Sequence, residues 1–446
     1  MEAQPLHVRG PVPQGRVGPA AVIRYRILMA LPVVAAVALG LGLPRWEDEI
    51  PRVGLTYETG TAQAALAAIA GGMITLSGFV ITGVTLVIQT VQSMSPRLIA
   101  VIRHFNQSLV IVGLLIGTAV YALVVLAQIQ ADETPRVSVT LAVALVVADT
   151  AVLLWSLTGL RNVVTGGGLA QVVGRRMAVA LDVLLPPDER ELRTVDLTDL
   201  RPAVPGVPLI HTGGPGVVRG VAERRLIRLT ERHDARVELD VWPGQHLVPG
   251  AVLGRVHGLA GLPEASRERM LRRIAPRVRV GRFRTVDQDP AYGLRLLVDI
   301  ATRALSPAVN DPTTAVESLD QIEEVLVRLA GRPLGTTVVT GPSGTPRLLR
   351  PGPGWTELVS LALDEILAYG ARSLQVVRRV RALLVTVTEA APPGRRAPLT
   401  ERAALVERLA GGFPDPLFVA TASVADGQGI GGAGGRAEPR PDGFAG

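Results

Sequence analysis

The chain has 446 residues, a net charge of +7 and a positive mean hydropathy, with 48% apolar but only 3% aromatic residues. This composition is typical of a protein with several membrane spans. Cysteine is absent and all 46 basic residues are arginine, which excludes disulfides, thiolate metal sites and any chemistry that needs a lysine. The net charge is modest, and arginines near the ends of membrane spans explain part of it. The charge therefore gives no reason to expect nucleic-acid binding.

Hydrophobic segments dominate the first 160 residues. They cover residues 27–43, 62–90, 108–129 and 137–160. Each has at least the roughly 17–25 residues that a helix needs to cross a bilayer. The sequence therefore predicts a cytoplasmic N-terminal segment, 1–26, followed by an α-helical membrane domain of four transmembrane helices, 27–160.

Arginine placement predicts the orientation of these helices. Nine arginines lie before the first span, after the second or after the fourth: Arg9, Arg16, Arg24, Arg26, Arg97, Arg103, Arg161, Arg175 and Arg176. Three lie in the alternate loops: Arg45, Arg52 and Arg136. The positive-inside rule then places both termini in the cytoplasm, in a multi-pass protein of the cell inner (plasma) membrane.

Small and polar residues recur every three or four positions along the second span. They are Gly71, Thr75, Gly78, Thr82, Thr85, Gln89 and Gln92. This spacing puts all of them on one helical face. Two interpretations stay open, because such a face is suited to tight helix–helix packing and also to lining a water-filled pathway between several copies.

Asp149 is a carboxyl in the middle of the fourth span. Intramembrane carboxyls usually face the bundle interior or a cavity. Asp149 is therefore either an ion or proton site or a hydrogen-bond acceptor for Thr82 or Thr85. We favour the hydrogen bond, because the spans contain no arginine or histidine that could serve as a relay partner.

A soluble region follows Arg161, and its first part is rich in short β-type runs. We expect a β-rich subdomain over 161–262, with a strand at Val237–Val241. The sequence "PGQHLVPGAVLGRV", Pro243–Val256, resembles the hairpin of a small lipoyl- or biotinyl-type barrel. The predicted fold class is thus the membrane domain followed by a cytoplasmic α+β domain with a small β-barrel-like subdomain.

Helical patterns return in the second part of the soluble region, 263–411. Thr336–Arg350 predicts a β-hairpin, and Trp355–Ala390 and Leu399–Leu409 predict amphipathic helices. The last segment, 412–446, is rich in glycine and proline and is expected to be disordered.

Two Asp-Pro pairs mark helix starts within this second part. Asp289-Pro290 precedes "AYGLRLLVDIATRAL" and Asp311-Pro312 precedes "TTAVESLDQIEEVLVRLAG". An aspartate at the N-cap accepts from the first-turn N–H groups, and a proline at the first helical position loses no hydrogen bond. On the first helix, Arg295, Asp299 and Arg303 are spaced for a ladder of ion pairs.

The same region is a candidate ligand site for a small anion. The residues concerned are Arg282, Arg284, Gln288, Asp289, Arg295, Asp299, Arg303, Ser306, Asn310 and Asp311. Arginines and amides beside two helix N-termini could hold a phosphate or carboxylate. Alternatively, these groups satisfy one another and fix the helix–loop–helix in place.

The block Gly281–Asp320, "GRFRTVDQDPAYGLRLLVDIATRALSPAVNDPTTAVESLD", resembles the signature of a bacterial family of predicted membrane proteins. This is domain-of-unknown-function family 2254. The resemblance extends to the four spans, to "SMSPRLI" (Ser93–Ile99) and to "PGQHLVPGAVLGRV". It implies a membrane protein and carries no activity.

The sequence contains no catalytic motif that we can identify and no familiar spacing of metal ligands, so no enzyme activity, cofactor or metal is expected. The first functional hypothesis is a homo-oligomeric channel- or transporter-like protein with a cytoplasmic gating domain. The expected partners are the lipid bilayer and an ion or small anionic ligand. The competing hypothesis is a membrane-anchored sensor or scaffold whose cytoplasmic domain binds a ligand or partner.

Overall fold

The computed structural model describes residues 19–46, 56–94, 104–129, 135–164, 168–185, 192–193 and 206–431. The first 18 residues, most of "SMSPRLI" and the end of the glycine-rich tail lie outside these ranges. The chain divides into two compact units, which are described separately. The N-terminal unit comprises 1–90 and 102–164, and the C-terminal unit comprises 91–101 and 165–446.

The described part of the N-terminal unit is helical. Its helices are α1 (Pro19–Trp46), α2 (Thr59–Met94), α3 (His104–Leu126) and α4 (Arg136–Val164). Three stretches are long and apolar enough to cross a membrane: Thr59–Gln92, Leu109–Leu126 and Arg136–Ser156. The apolar stretch of α1 is shorter, Ala30–Trp46. Helices therefore form at all four hydrophobic segments, while the count of four spans stays a prediction.

Helix α3 is the most buried of these helices and packs closely along α1. A Cβ at Gly117 would lie 3.1 Å from the carbonyl oxygen of Pro32, and one at Gly40 would lie 2.9 Å from the side chain of Val124. Gln128 Nε2 also donates to the carbonyl of Gly40, at 2.6 Å. Small residues that let two backbones approach are the usual basis of helix association in membranes.

Short strands form two sheets in the C-terminal unit. They are β1 (Leu192–Arg193), β2 (Val207–Ile210), β3 (Gly216–Val221), β4 (Arg236–Leu239), β5 (His246–Leu247), β6 (Val252–His257), β7 (Val278–Gly281), β8 (Thr337–Thr340) and β9 (Pro346–Arg350). The larger sheet has the order β1-β8-β9-β4-β6-β2, and the smaller has the order β5-β3-β7. Both sheets are open, so the expected barrel-like subdomain is absent from the described residues.

The "PGQHLVPGAVLGRV" stretch does not form the expected hairpin. Strand β5 pairs with β3, whereas β6 pairs with β2 and β4, so its two halves belong to different sheets. A turn at Pro249-Gly250 separates them, and Gly250 has a φ of +88°. Turn residues alone do not determine whether the flanking strands pair with each other.

The predicted hairpin at Thr336–Arg350 is confirmed, since β8 and β9 pair antiparallel. It joins the β-rich region rather than standing apart, because β9 pairs in parallel with β4 through Val237 and Leu348. Leu348 is buried in the same apolar core as Val237. The expected boundary between residues 262 and 263 therefore does not separate the sheet from the helices.

The remaining helices are α5 (Gly168–Leu184), α6 (Glu223–Glu231), α7 (Glu264–Ile274), α8 (Pro290–Ala304), α9 (Pro312–Ala330), α10 (Trp355–Gly370), α11 (Leu374–Ala390), α12 (Ala397–Gly411) and α13 (Pro416–Ala422). Helices α8 and α9 pack on each other, and both contact α5 and α10. We expected α5 within the β-rich part, but it packs on these helices, with Gly293 of α8 against Met177 and Gly174 of α5 against Gln321.

The segment predicted to be disordered from residue 412 is ordered as far as Gly431. Helix α13 is capped by Asp415, whose carboxylate accepts from Leu417 N at 2.7 Å. Beyond α13, the Asp426 carboxylate accepts from three backbone N–H groups, those of Gln428, Gly429 and Gly431. A composition rich in glycine does not reveal such an anchor, so the prediction was wrong for 412–431.

Candidate functional site

The polar face of α2 is exposed along its whole length. All seven predicted residues, from Gly71 to Gln92, are exposed in the structure. A Cβ at Gly71 or Gly78 would meet no described atom within 4 Å. Packing against the described part of the same chain therefore does not account for this face. Packing against a helix of another copy and lining a water-filled pathway both stay open.

The opposite face of α2 supplies the packing. Ala62, Leu66 and Ala70 are buried in a cluster with residues of α3 and α4, and Met73 is buried in a second cluster with Leu115 of α3. At 100° per residue, these positions lie roughly opposite the polar face. Helix α2 thus packs within the unit through one side and presents small, hydroxyl and amide groups on the other.

The threonines on this face satisfy their own donors. The hydroxyls of Thr75, Thr82 and Thr85 donate to the carbonyls of the residues four positions earlier, at 2.9, 3.0 and 2.8 Å. Their oxygens keep acceptor capacity, while the methyl groups keep the face compatible with an apolar neighbour. Such a face can contact either a second helix or water.

Asp149 is buried and bonded, but not to the expected partner. Thr118 Oγ1 of α3 donates to Asp149 Oδ2 at 2.6 Å. Thr82 and Thr85 face the other way from the packed side of α2, so the prediction that either would bond Asp149 was wrong. The sequence does not identify Thr118 as the partner of Asp149, because that contact depends on which side of α3 faces α4.

The two Asp-Pro pairs cap helices as predicted. Asp289 accepts from Tyr292 N at 3.0 Å, and Asp311 accepts from Thr314 N at 3.1 Å. Asp311 also accepts from the hydroxyl of Thr314, at 2.6 Å. Each proline is the first residue of its helix. Both carboxylates are therefore engaged in local structure.

Asp289 stands out because its carboxyl is buried beneath the turn at Pro243-Gly244. A Cβ at Gly244 would lie 2.6 Å from Asp289 Oδ2 and 3.3 Å from the Cζ of Arg284. Burial raises the pKa of Asp289 to about 6, opposed by the N–H group of Tyr292 and the charge of Arg284. Arg284 also lies over the ring of Tyr292, 6.0 Å from its centroid.

Other members of the predicted constellation also serve the packing of this region. The side chain of Gln288 lies against Gly220 of β3, where a Cβ would overlap its amide oxygen. Asn310 adopts a φ of +48°, and its N–H group donates to the carbonyl of Ser306 at 2.8 Å. Ser306 Oγ donates to the carbonyl of Arg303 at 2.7 Å. These contacts support the structural interpretation of the block.

The expected ladder on α8 forms in part and extends to α10. Arg295 pairs with Asp299 at 2.6 Å and with both carboxylate oxygens of Glu365. Arg303 is exposed one turn later, and Arg282 is exposed at the end of β7. The structure thus does not gather the ten residues into one pocket.

Histidines and acids provide no metal site in the described ranges. No group of three potential ligands occurs there. His257 Nε2 lies 3.0 Å from Glu238 Oε2, and His211 Nε2 lies 2.9 Å from the carbonyl of Gly214. These contacts join neighbouring chain segments of the β-rich region.

Comparison with known proteins agrees with a membrane assignment. The profile of DUF2254, described as "Predicted membrane protein", matches residues 23–386. Uncharacterized proteins of Mycobacterium bovis and Mycobacterium tuberculosis are each 28% identical over 358 residues, covering 79% of this chain and 68% of theirs. No solved structure matches. The apolar helices and the length of the profile match together place the chain in the DUF2254 family of predicted membrane proteins.

Proposed function

We propose that the protein is a homo-oligomer of the cell inner membrane in which the polar faces of α2 from several copies border a pathway for an ion or small solute. The C-terminal unit is cytoplasmic and serves as a gate or vestibule. The observation that carries this proposal is the continuous exposed face from Gly71 to Gln92, opposite the packed side of the same helix.

The physical argument starts from what lipid would do at this face. Acyl chains offer no hydrogen bonds, and amides such as Gln89 are costly there. Large apolar side chains, by contrast, are well placed against lipid, and exposed Ile74, Phe79 and Leu86 flank the polar face. Gly71, Gly78 and the threonines form a narrow band between them. Contact of this band with a second copy or with water removes the cost of exposing its polar groups to lipid.

The proposal includes α1 as a fourth span, with both termini in the cytoplasm. Close packing of α1 along α3 supports this. Helix α1 contacts α3 at both Pro32 and Gly40, so a membrane that surrounds α3 also surrounds this part of α1. The excess of arginine in the segments assigned to the cytoplasm agrees.

Asp149 belongs to the packing of the spans in this proposal. Its carboxyl is buried and accepts from Thr118, so it lies away from the exposed face of α2. The pathway is therefore bordered by hydroxyl, amide and backbone groups without a formal charge. It follows that selectivity between cations and anions is weak within the membrane.

The test is ion flux through purified protein in liposomes. Thr82→Leu and Thr85→Leu replace exposed hydroxyls with larger apolar groups and should reduce flux by roughly tenfold or more. Thr150→Leu on α4 is the matched control, since Thr150 is exposed and also donates to the carbonyl four positions earlier. It should leave flux unchanged.

Oligomer size is measured for each variant by mass photometry. Reduced flux with an unchanged oligomer supports the pathway. Native protein that shows no flux under varied voltage, membrane tension and pH would contradict it. The membrane-anchored sensor or scaffold would then be the better hypothesis, although the Asp-Pro block offers it no free carboxylate.

A further inference from the structure

A second surface carries chemistry that the pathway does not use. A solvent-open cavity of about 300 Å³ lies in the C-terminal unit and is lined by Arg225, Arg228, Leu229, Arg232 and Arg277. Four of these five residues are arginines, contributed by α6, the turn after it and the short 3₁₀ turn Ala275–Arg277.

The arrangement of α6 explains why its arginines gather there. Arg225, Arg228 and Arg232 follow a three–four spacing and share one face of the helix. Leu226 and Thr230, on the opposite face, are buried and hold the helix on the unit. The arginine face is therefore kept outward by packing on the other side.

The acidic residues around α6 do not neutralise this face, because they are engaged elsewhere. Glu223 pairs with Arg350 at 2.8 Å, and Asp234 pairs with Arg347 at 2.8 Å. Glu231 accepts from the backbone N–H of Ser343, at 3.2 Å. All three acids between residues 223 and 234 thus point to the β8–β9 hairpin, and none of these three neutralises the arginines of the cavity.

Arg277 supplies an independent sign of a missing acceptor. Its Nε is buried and has no hydrogen-bond partner among the described residues. Its carbonyl accepts from Ala222 N at 2.8 Å, which fixes the 3₁₀ turn beside the start of α6. A buried N–H group without a partner is unfavourable, and Arg277 also lines the cavity, where a bound anion would accept from its guanidinium group.

We propose that this cavity binds a ligand that carries phosphate groups. Guanidinium groups match phosphate oxygens bidentately, and several around one cavity favour a ligand with more than one negative charge. The volume is at the lower end of small-molecule sites, the size of a nucleotide or a lipid headgroup. The proposal is independent of the pathway, since it involves no residue of the membrane helices.

Binding is measured by titrating inorganic triphosphate into the full chain, purified in a neutral detergent. The native chain should bind one triphosphate per chain. Arg225→Gln/Arg228→Gln and Arg277→Gln should each weaken binding by about tenfold or more, since each removes charge-assisted hydrogen bonds. The matched control is Arg372→Gln/Arg408→Gln, which removes the same charge from exposed positions outside the cavity.

A second arm distinguishes the two sources of phosphate. Native mass spectrometry follows cardiolipin, a lipid with two phosphate groups, carried through purification from nanodiscs that contain it. Lipid retained by the native chain and lost from Arg225→Gln/Arg228→Gln assigns the cavity to a headgroup, whereas triphosphate binding without retained lipid assigns it to a soluble ligand. Absence of both would overturn the proposal, as would equal weakening in the control variant. Thermal unfolding of each variant establishes that it is folded.

Discussion

Asp289 combines two roles at the level of a single residue, as a helix cap and as a buried acid. Its pKa is raised to about 6 by burial, whereas an unfolded aspartate titrates near pH ~3.9. Between these values the folded chain holds a proton that the unfolded chain releases. The free energy of unfolding should therefore fall as pH rises from about 4 to about 6 and stay level above that range.

Asp289→Asn should remove this fall while keeping the cap, because an asparagine oxygen still accepts from Tyr292 N. Above pH ~6 the variant should be more stable than the native chain by about 3 kcal/mol. Thermal unfolding of the full chain in detergent between about pH 4 and pH 8 measures both.

Arg284→Gln is the complementary variant for Asp289. The charge of Arg284 lowers the pKa of Asp289, so its removal should extend the fall in stability above pH ~6. Equal pH profiles for the native chain and Asp289→Asn would contradict this account of the carboxyl.

Thr118 is predicted to stabilise the spans through its bond to Asp149. Thr118→Val keeps the shape of the side chain and leaves a buried carboxyl oxygen without its donor, at a cost of about 1–3 kcal/mol. Thr150→Val on α4 is the control, because its hydroxyl is exposed and bonds within its own helix. That change should cost less than about 0.5 kcal/mol.

Unfolding in increasing SDS, followed by helical circular dichroism, measures the two threonine variants side by side. A loss of stability that is equal for Thr118→Val and Thr150→Val would show that the bond to Asp149 contributes nothing beyond the substitution itself.

Residues differ in how far the sequence reveals their roles. Asp289 and Asp311 could be predicted as caps because the signal is local, an aspartate before a proline at the start of an apolar repeat. The Thr118–Asp149 pair could not, since it depends on how two helices rotate against each other. The burial of Asp289 likewise depends on the turn at Gly244, 45 residues earlier in the sequence.

At the level of elements, strand β6 depends on one glycine, which lies between β4 and β2 in the larger sheet. Gly254 has a φ of +150°, and a Cβ there would lie 2.0 Å from the carbonyl oxygen of Glu238 on β4. Gly254→Ala must therefore displace paired backbone and should cost about 3 kcal/mol or more.

Gly250→Ala provides the control for this element. Gly250 also has a positive φ, +88°, but no described atom lies within 4 Å of its would-be Cβ. Only backbone strain remains, about 1–2 kcal/mol. Thermal unfolding of the two variants measures the difference. If both lose the same stability, the close approach of β4 and β6 at Gly254 is not what matters.

Elements with complete local signals were predictable, and elements defined by distant partners were not. The helices after Asp289 and Asp311 and the hairpin β8–β9 carry their caps and turns with them. The pairing of β5 with β3, and of β9 with β4, joins segments far apart in sequence, so the "PGQHLVPGAVLGRV" stretch was assigned to a hairpin that does not form. Helix α5 was missed for the same reason, because its partners α8 and α9 lie more than 100 residues later.

At the level of the whole molecule, the N-terminal and C-terminal units carry different kinds of open surface. The N-terminal unit exposes a face of small and hydroxyl-bearing residues, which suits a neighbouring helix or water. The C-terminal unit exposes an arginine-lined cavity, which suits an anion. The polar face of α2 could be predicted from the regular spacing of its residues. The arginine-lined cavity could not, because its charge depends on three nearby acids that pair with residues far away in the sequence.

The number of spans can be tested directly, because the chain contains no cysteine. If α1 to α4 all cross the membrane, Thr56→Cys and Ala127→Cys face the outside, whereas Gln14→Cys and Ser343→Cys face the cytoplasm. A membrane-impermeant maleimide applied to right-side-out vesicles should then label the first two, and should label the others only after permeabilisation.

Gln14→Cys decides between three spans and four. If Ser343→Cys is protected, so that the C-terminal unit lies in the cytoplasm, and α2 to α4 cross the membrane, Thr56 lies outside whether or not α1 crosses. Only α1 then changes the side of residue 14. Labelling of Gln14→Cys from outside, together with Thr56→Cys, would mean that α1 does not cross. Protection of Gln14→Cys while Thr56→Cys is labelled requires α1 to cross, and its close packing along α3 at Pro32 and Gly40 is the reason to expect this result.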